Sequence, residues 1–426
     1  LNLLDHGAAV RDFERALHLD PSNANYLSTY AFYSLYDRDH DSRRFLENIR
    51  RYSVANGMMT RSLPRRTPGR IRVGYISGDF SAHALMHYAF TLFEGHDRRQ
   101  FEVIAVASVK HPDAITEELK QRVDEWIDIA DLNDVQAVQR IRERQIDILI
   151  DLSGHTAENR LGVLARRAAP LQMTTMGTLS STGLPNVDYR ITDAYTDPPG
   201  LTEAWHSEKL LRMPKFHGCY SRQREFADAG PLPALGNGYL TFGYFNHAFK
   251  LNRPLLEMWS RVLKRIPDSR IRLVGVHHPL IRQTILDVLS GDQGIAKERI
   301  EIFDRVTLAE FSRLLTSVDI AFDPFPYSGG ITSIETLLAG IPLLSLAGQR
   351  PSDRNGLAIL SNLGLQDWVA TSAEQWVEIA CQRAGDLTAL ARLRQRLPDL
   401  VERSALMDRG GFIGAWEQLL RSAYAS

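Results

Sequence analysis

Hydrophobic positions follow two different rhythms along this chain. From Leu1 to about residue 60 they recur at helical spacing. After SLPRRTPGR (62–70), a break rich in proline and arginine, short apolar runs take over: RIRVGYI (70–76), FEVIAVAS (101–108), IDILIDL (146–152), LQMTTM (171–176) and DYRIT (188–192). Stretches of helical spacing lie between them at 112–126, 134–145 and 157–168. A second break, DAGPLPALGNG near 228–238, is followed by the same alternation. It predicts strands LTFGYF (240–245), IRLVGV (271–276), IEIF around 301–303, IAFDPF (320–325) and IPLLSL (341–346). Helices are expected over 254–266, 280–290, 308–317, 331–339 and 354–362, and the tail from about 372 is expected to be helical. Apolar strands alternating with helices predict parallel sheets covered on both faces. The expected fold class is therefore α/β, with two consecutive units of similar size. The expected domains are 1–65, 66–230 and 231–426.

Within the helical start, Ala9, Phe13, Ala16, Leu17, Leu19 and Pro21 follow A-x3-F-x2-A-L-x-L-x-P, the second half of a tetratricopeptide repeat. Repeat units bury their faces against neighbours, so this half-repeat is expected to end a longer array. The chain has 426 residues, 44% hydrophobic and 24% charged, as in a soluble globular protein with a sizeable core. A net charge of −1 argues against a nucleic-acid groove or an anionic membrane surface. Cys219 and Cys381 form no disulfide framework and no metal-ligand spacing. With no apolar run of membrane length and no signal-peptide pattern, the expected location is a reducing, soluble one, the cytoplasm.

Several chemistries lack their motif. There is no P-loop, no G-x-G-x-x-G after a strand and no G-x-S-x-G. Asp37-Arg38-Asp39 has a D-x-D spacing but sits in a charged connection and reads as solvated surface. His277-His278 lacks a third ligand at a fixed offset and reads as an exposed pair.

FPYSGGITSIETLLAG (325–340) is more informative. It leaves a strand, turns from Tyr327 to Ile331 through Ser328, Gly329 and Gly330, and enters a helix at TSIETLLAG. Helix N-termini present free N–H groups to anions, and glycines let a phosphate approach the backbone. Thr332 and Ser333 add hydroxyls. Glu335 stands three residues after Thr332, the spacing of a capping box. One reading is a well-capped helix. The other is a diphosphate at the helix start with Glu335 accepting from a sugar hydroxyl. FGYFNHAFKLNRP (242–254) places Asn246, His247 and Lys250 just past another strand, and a cation there suits a phosphate. In the earlier unit, strand exits carry Asp79, His83 and His87, then Gly154, His155 and Thr156, then Gly177 and Gly183. Such histidines can act as bases or as hydrogen-bond partners to a sugar.

The ordered set RIRVGYISGDFSAH, DILIDLSGHTAENRLGVLARRAAPLQ, STGLPNVDYRITD, FGYFNHAFKLNRP, VDIAFDPFPYSGGITSIETLLAGIPL and SDRNGLAILSNLGL resembles the O-linked N-acetylglucosamine transferase family, especially its bacterial members. The resemblance covers about 70–365. It implies a GT-B fold of two Rossmann-like domains facing across a cleft, preceded by tetratricopeptide repeats. It also implies inverting transfer from a nucleotide sugar, usually UDP-N-acetylglucosamine, to Ser or Thr of protein acceptors recruited by the repeats. No metal and no separate cofactor are implied. By that resemblance Lys250 neutralises the diphosphate and the helix from Ile331 points at it. Glu335 meets the ribose, and His83 lies beside sugar and acceptor. Met176, Gly177 and Phe249 line the sugar pocket, and His247 lies near the nucleotide. Asp79, His87, His155 and Thr156 are expected on the sugar or acceptor rim. The chain departs from the family pattern at Gly177-Thr178-Leu179-Ser180, where G-Y-P-G is common. It departs at Gly330-Ile331-Thr332, where a threonine run is common, and at Phe311, where some members place a histidine near the uracil. Alternatives are another donor, such as GDP-fucose (as in the plant relatives) or another UDP-hexose, or a degenerate scaffold.

Overall fold

The computed structural model describes residues 4–55, 63–64, 69–224 and 229–425. Most of the 62–70 break, the boundary at 65–66, the end of the helical stretch at 56–60 and Asp228 of the second break lie outside them. The chain divides into two compact units: an N-terminal one of Val10–Leu35, Asp39–Arg222 and Asp408–Ser426, and a C-terminal one of Leu1–Ala9, Tyr36–Arg38 and Gln223–Met407.

Three helices open the chain: α1 (His6–Leu19), α2 (Ala24–Ser34) and α3 (Ser42–Ala55). Asn23 caps α2 through its side chain, accepting from the backbone N–H groups of Asn25 and Tyr26. Ala9 and Leu17 of the repeat-like spacing are buried, whereas Leu19 is 85% exposed.

The N-terminal unit then runs β1 (Ile71–Ser77), α4 (Met86–Gly95), β2 (Phe101–Ala107), α5 (Ala114–Lys120), β3 (Glu125–Asp128), α6 (Asp134–Glu143), β4 (Ile148–Asp151), α7 (Leu161–Ala165), β5 (Leu171–Thr174), β6 (Tyr189–Asp193) and β7 (Lys209–Met213). Among the described residues these strands form one sheet, ordered β3-β2-β1-β4-β5-β6-β7 and parallel throughout. Its core packs Val73, Tyr75, Val103, Ile148 and Ile150 against Phe90 and Phe93 of α4 and Trp416 near the chain's end.

The C-terminal unit continues with α8 (Pro233–Asn237), β8 (Thr241–Tyr244), α9 (Arg253–Arg265), β9 (Arg270–Leu273), α10 (Pro279–Leu286), β10 (Ile300–Ile302), α11 (Leu308–Thr316), β11 (Ile320–Phe322), α12 (Ile331–Leu338), β12 (Leu343–Leu346), α13 (Asn355–Ser361) and β13 (Val369–Ala370). Its sheet is ordered β10-β9-β8-β11-β12-β13. The tail forms α14 (Ala373–Ala384), α15 (Leu387–Glu402) and α16 (Arg409–Ala425), with α16 in the N-terminal unit.

Three sequence expectations change. The helix expected over 112–126 ends at Lys120, and residues 125–128 form edge strand β3. Strand β7 closes the other edge without having been foreseen. Both edges carry charged residues, Glu125, Asp128, Lys209 and Arg212, which blunt the apolar signal of a strand paired on one side only. The helix expected over 157–168 shrinks to Leu161–Ala165, because Glu158 (φ 58°) and Arg167 (φ 55°) turn left-handed on either side of it.

The two sheets share an internal signature. Asp147-Ile-Leu-Ile-Asp151 and Asp319-Ile-Ala-Phe-Asp323 each occupy the fourth strand position of their sheet. The first aspartate of each pair accepts a backbone N–H from the first or second residue of the neighbouring strand: Arg72 to Asp147 and Thr241 to Asp319, both 2.8 Å. The second braces its own exit loop. Asp151 accepts from the N–H of Ser153 (3.2 Å) and Gly154 (2.9 Å) and from Thr174 Oγ1 of the next strand (2.8 Å). Asp323 accepts from the N–H of Gly329 (3.0 Å), Ser333 Oγ (3.0 Å) and Ser345 Oγ of the next strand (2.7 Å). Burial raises both carboxyls, Asp151 to about 6, against the pull of these donors. In each sheet the strand order reverses between the first strand and this fourth one, where doubly wound sheets take ligands.

Candidate active site

In the C-terminal unit the reversal point lies between β8 and β11. After β8, Tyr244 donates its hydroxyl to His247 O (2.9 Å), and Asn252 caps α9 by accepting from Leu255 N–H (3.0 Å). Between these anchors a single 3-10 turn, Ala248–Lys250, projects Lys250 over the loop that follows β11. Lys250 Nζ donates to Ser328 O (3.1 Å), lies 3.4 Å from Asn246 Oδ1 and stands 4.8 Å from the Tyr327 ring centroid. Burial pushes this ammonium down to about 8, and Asp323 pulls it partly back. Asn246 is buried, and His247 is exposed and packs on Phe249 (4.2 Å). Burial, then Lys250, lowers the His247 pKa.

The loop after β11 is clamped from three sides. Asp323 holds Gly329 and Ser333. Ser328 Oγ donates to Ser352 O (3.0 Å) and accepts from Asn355 N–H (3.1 Å), while Asn355 Nδ2 donates to Gly329 O (2.7 Å). A Cβ on Gly329 would lie 2.0 Å from Ser333 Oγ and 2.8 Å from Asp323 Oδ1, so no side chain fits there. Helix α12 then begins at Ile331 with Gly330 as N-cap and no side-chain cap bond. This corrects the capping-box reading: Thr332 already lies inside the helix. The opening of α12 stays uncapped, with Gly330, Ile331 and Thr332 half-buried, a place where backbone N–H groups and the helix dipole favour an anion.

Glu335, one turn further, is buried and ion-paired with Arg224 Nη2. The Arg224 guanidinium stands 5.9 Å from the ring centroid of Phe311, which meets Phe245 edge-on at 5.8 Å. Lys250, the Gly329–Thr332 turn, Asn246, His247, Phe249, Glu335 and Phe311 thus all belong to one unit. Sequence reasoning missed Asp323, Asn355 and Arg224. The repeated D-I-x-x-D signature points to the first, and no local motif marks the other two.

The N-terminal unit presents its own exits. His83 is 52% exposed in its side chain, with Nδ1 4.0 Å from Asp79 Oδ1. His83 Nδ1 accepts from Leu85 N–H (3.3 Å), so the neutral ring carries its proton on Nε2 and faces outward as a donor. Burial raises the Asp79 carboxyl, opposed by His83. Met176 adopts a left-handed turn (φ 61°). A Cβ on Gly177 would lie 2.2 Å from Ser153 carbonyl atoms, so this turn packs backbone to backbone on the β4 exit. Thr156 is half-buried and donates to Ser153 O (3.0 Å).

Two expected rim residues lie in the core instead. His87 is 4% exposed, stacks on Tyr220 (4.7 Å) and has Nδ1 2.9 Å from Ser221 O. His155 is 2% exposed, with Nδ1 3.1 Å from Ser28 Oγ and Nε2 3.0 Å from Thr182 O. Burial lowers it to about 4, so it stays neutral and pins α2 to the sheet loops. A strand exit is expected to form an open rim, whereas here the 217–221 segment covers His87 and α2 covers His155. Asp37 is half-buried, Arg38 and Asp39 are exposed, and so are His277 and His278. Among the described residues no group of three or more His, Cys, Asp or Glu side chains gathers around a metal position. No described helix is long and apolar enough to cross a membrane.

Comparison with known proteins matches this layout. The chain is 33% identical over 410 residues to the probable UDP-N-acetylglucosamine–peptide N-acetylglucosaminyltransferase SPINDLY of Solanum lycopersicum, covering 94% of this chain and 43% of that protein. The Oryza sativa subsp. japonica counterpart is 32% identical over 435 residues, 97% of this chain and 46% of that one. The chain thus spans less than half the length of these curated relatives. Among solved structures, a lysine-to-methionine mutant of the Thermobaculum terrenum O-GlcNAc transferase superposes with a TM-score of 0.91 at 29% identity, covering 98% of this chain and 81% of that one. Anabaena HepE in complex with UDP shares the fold, with a TM-score of 0.52 at 12% identity over 83% of this chain and all of that one. Residues 43–226 and 233–413 match the sequence profile of glycosyl transferase family 41. With both Rossmann-like units matched, the chain belongs to glycosyl transferase family 41 and has its GT-B fold.

Proposed function

We propose that this protein transfers N-acetylglucosamine from UDP-N-acetylglucosamine to Ser or Thr hydroxyls of protein acceptors, with inversion. The observation that carries this reading is the pairing of Lys250 with the uncapped start of α12, in a chain of this family. In the reaction the bond from the anomeric carbon to the diphosphate breaks, and its electron pair goes to the phosphate oxygen. The acceptor oxygen bonds the anomeric carbon from the opposite side and loses its proton. Lys250 and the Gly330–Thr332 backbone stabilise the charge developing on the diphosphate, the largest electrostatic contribution to such a step. Glu335 accepts from the ribose hydroxyls, and Phe311 offers a face to the base. His83 donates through Nε2 to an oxygen of sugar or acceptor. That tautomer favours a phosphate oxygen of the donor as the proton's destination.

Met176 and Gly177 belong in this proposal to the sugar pocket, and Asp79 and Thr156 to the acceptor side. No metal is assigned a role. Recruitment of acceptors by the helical segment, read as tetratricopeptide, is part of the same proposal, as is a cytoplasmic setting. The test is calorimetric titration with UDP, UDP-N-acetylglucosamine, UDP-glucose and GDP-fucose. UDP-N-acetylglucosamine is expected to bind, and to bind more weakly to Lys250→Met. Preference for GDP-fucose would replace the donor, and no nucleotide binding would favour a scaffold.

A further inference from the structure

One aromatic ring from the loop after α2 reaches both neighbours of Lys250. Tyr36, 4% exposed, stacks on Tyr327 with ring centroids 4.8 Å apart and an interplanar angle of 16°. The same ring meets Phe249, the residue before Lys250, edge-on at 4.7 Å. Tyr327 in turn carries the Lys250 ammonium above its face. Two more contacts fix this loop: Arg350 Nη1 donates to Asp37 O (2.9 Å), and His6 Nε2 lies 3.1 Å from the carbonyl of Leu251, the residue after Lys250. The His6 ring also lies 5.9 Å from that of Tyr36. All these residues belong to the C-terminal unit.

A desolvated ammonium keeps its place only if the groups around it are fixed. Lys250 faces the carboxylate of Asp323, the imidazole of His247, the oxygens of Ser328 and Asn246, and the face of Tyr327. Asp323, His247 and the Tyr327 phenol are the titratable groups among these. Tyr36 packs on the Tyr327 ring and against Phe249. We propose that Tyr36 is a positioning residue for Lys250, holding the ammonium over the β11 exit loop where an anionic oxygen is to be received. The nature of that anion, a nucleoside diphosphate, rests on the donor-site reading above; the placement of Lys250 does not.

The test separates the two. The full chain is reductively methylated with carbon-13, the Lys250 signal is assigned with Lys250→Arg, and its titration is followed in wild type, Tyr36→Phe and Tyr36→Leu. Tyr36→Leu is expected to raise the Lys250 midpoint from about 8 by roughly one unit as water reaches the ammonium. It is also expected to weaken UDP binding about tenfold at neutral pH through misplacement of the charge. Tyr36→Phe keeps the stack and is expected to shift midpoint and affinity less than Tyr36→Leu does. An unchanged midpoint in Tyr36→Leu, or an equal shift in Tyr36→Phe, overturns the proposal. Should Tyr36→Leu fail to fold, Tyr327→Leu must produce the shift, and a wild-type midpoint there overturns it equally. If Lys250→Met binds UDP as wild type does, the donor-site reading fails while the titration still decides the role of Tyr36. If Lys250→Met loses UDP but Tyr36→Leu keeps wild-type affinity and midpoint, only the Tyr36 proposal falls.

Discussion

Lys250→Met should make the free protein more stable and its sugar transfer much slower. The Lys250 ammonium is held near 8 by burial, below the usual lysine value of about 10.4. Between those two values the unfolded chain binds the extra proton, so stability rises with pH across that window. Below pH 8 the folded protein carries the full cost of a buried cation. At about 1.4 kcal/mol per unit the shift corresponds to roughly 3 kcal/mol. Residual solvent contact of this half-buried side chain reduces that to about 1–2 kcal/mol. A methionine of similar length removes the cost, which for a unit of this size raises the melting midpoint by about 2–8 °C at pH 7. The gain should shrink towards zero above pH 10, where lysine is neutral in both states. UDP should raise the midpoint of wild type and raise that of Lys250→Met much less. Transfer should fall by about 10²–10³, the cost of losing one preorganised donor at a developing charge. Scanning calorimetry at pH 7 and pH 10, with and without UDP, measures both effects. A mutant less stable than wild type at pH 7, or one that UDP still stabilises fully, would refute the reasoning.

Other outcomes follow from the same geometry. Gly329→Ala forces a Cβ to 2.0 Å from Ser333 Oγ and should lower stability by about 1–3 kcal/mol while weakening UDP at least tenfold, measurable by thermal melts and titration calorimetry. Asp323→Asn points an amide at three hydrogen-bond donors and should weaken UDP binding with the sheet intact, as followed by calorimetry and circular dichroism. Arg224→Ala leaves the buried Glu335 carboxylate without its ion pair and should change affinity for UDP far more than for inorganic pyrophosphate, in the same titrations. His155, lowered to about 4, is neutral in the folded state, so stability conferred by the neutral ring is lost as pH falls from about 6.5 to about 4, at about 1.4 kcal/mol per unit. In denaturant titrations the stability advantage of wild type over His155→Gln should shrink as pH falls through that window and stay constant above pH 7.

Much of this was legible along the chain because it rests on local patterns. Apolar runs marked the inner strands, and two glycines before an apolar helix marked the α12 turn. A lysine just past β8 marked its partner. The edges were not legible: β3 and β7 pair on one side and carry charge on the other, so neither shows a continuous apolar run. The histidines at strand exits misled for a different reason. Whether His87 or His155 meets solvent depends on segments more than a hundred residues away in sequence, Ser221 for one and Ser28 for the other. Helix capping failed at Thr332 because the helix starts two residues earlier than the box requires, leaving its N–H groups open. Arg224 and Tyr36 carry no motif of their own, since their meaning comes from Glu335 and Tyr327, distant partners that only folding supplies.

The most direct test of the account is mass spectrometry of Ser- and Thr-containing peptides and proteins incubated with UDP-N-acetylglucosamine and this chain. The expected result is N-acetylhexosamine attached to a hydroxyl, UDP released in equal amount, and a fall of about 10²–10³ in the rate of both with Lys250→Met. UDP bound tightly with no sugar transferred from any nucleotide sugar to any acceptor would contradict it.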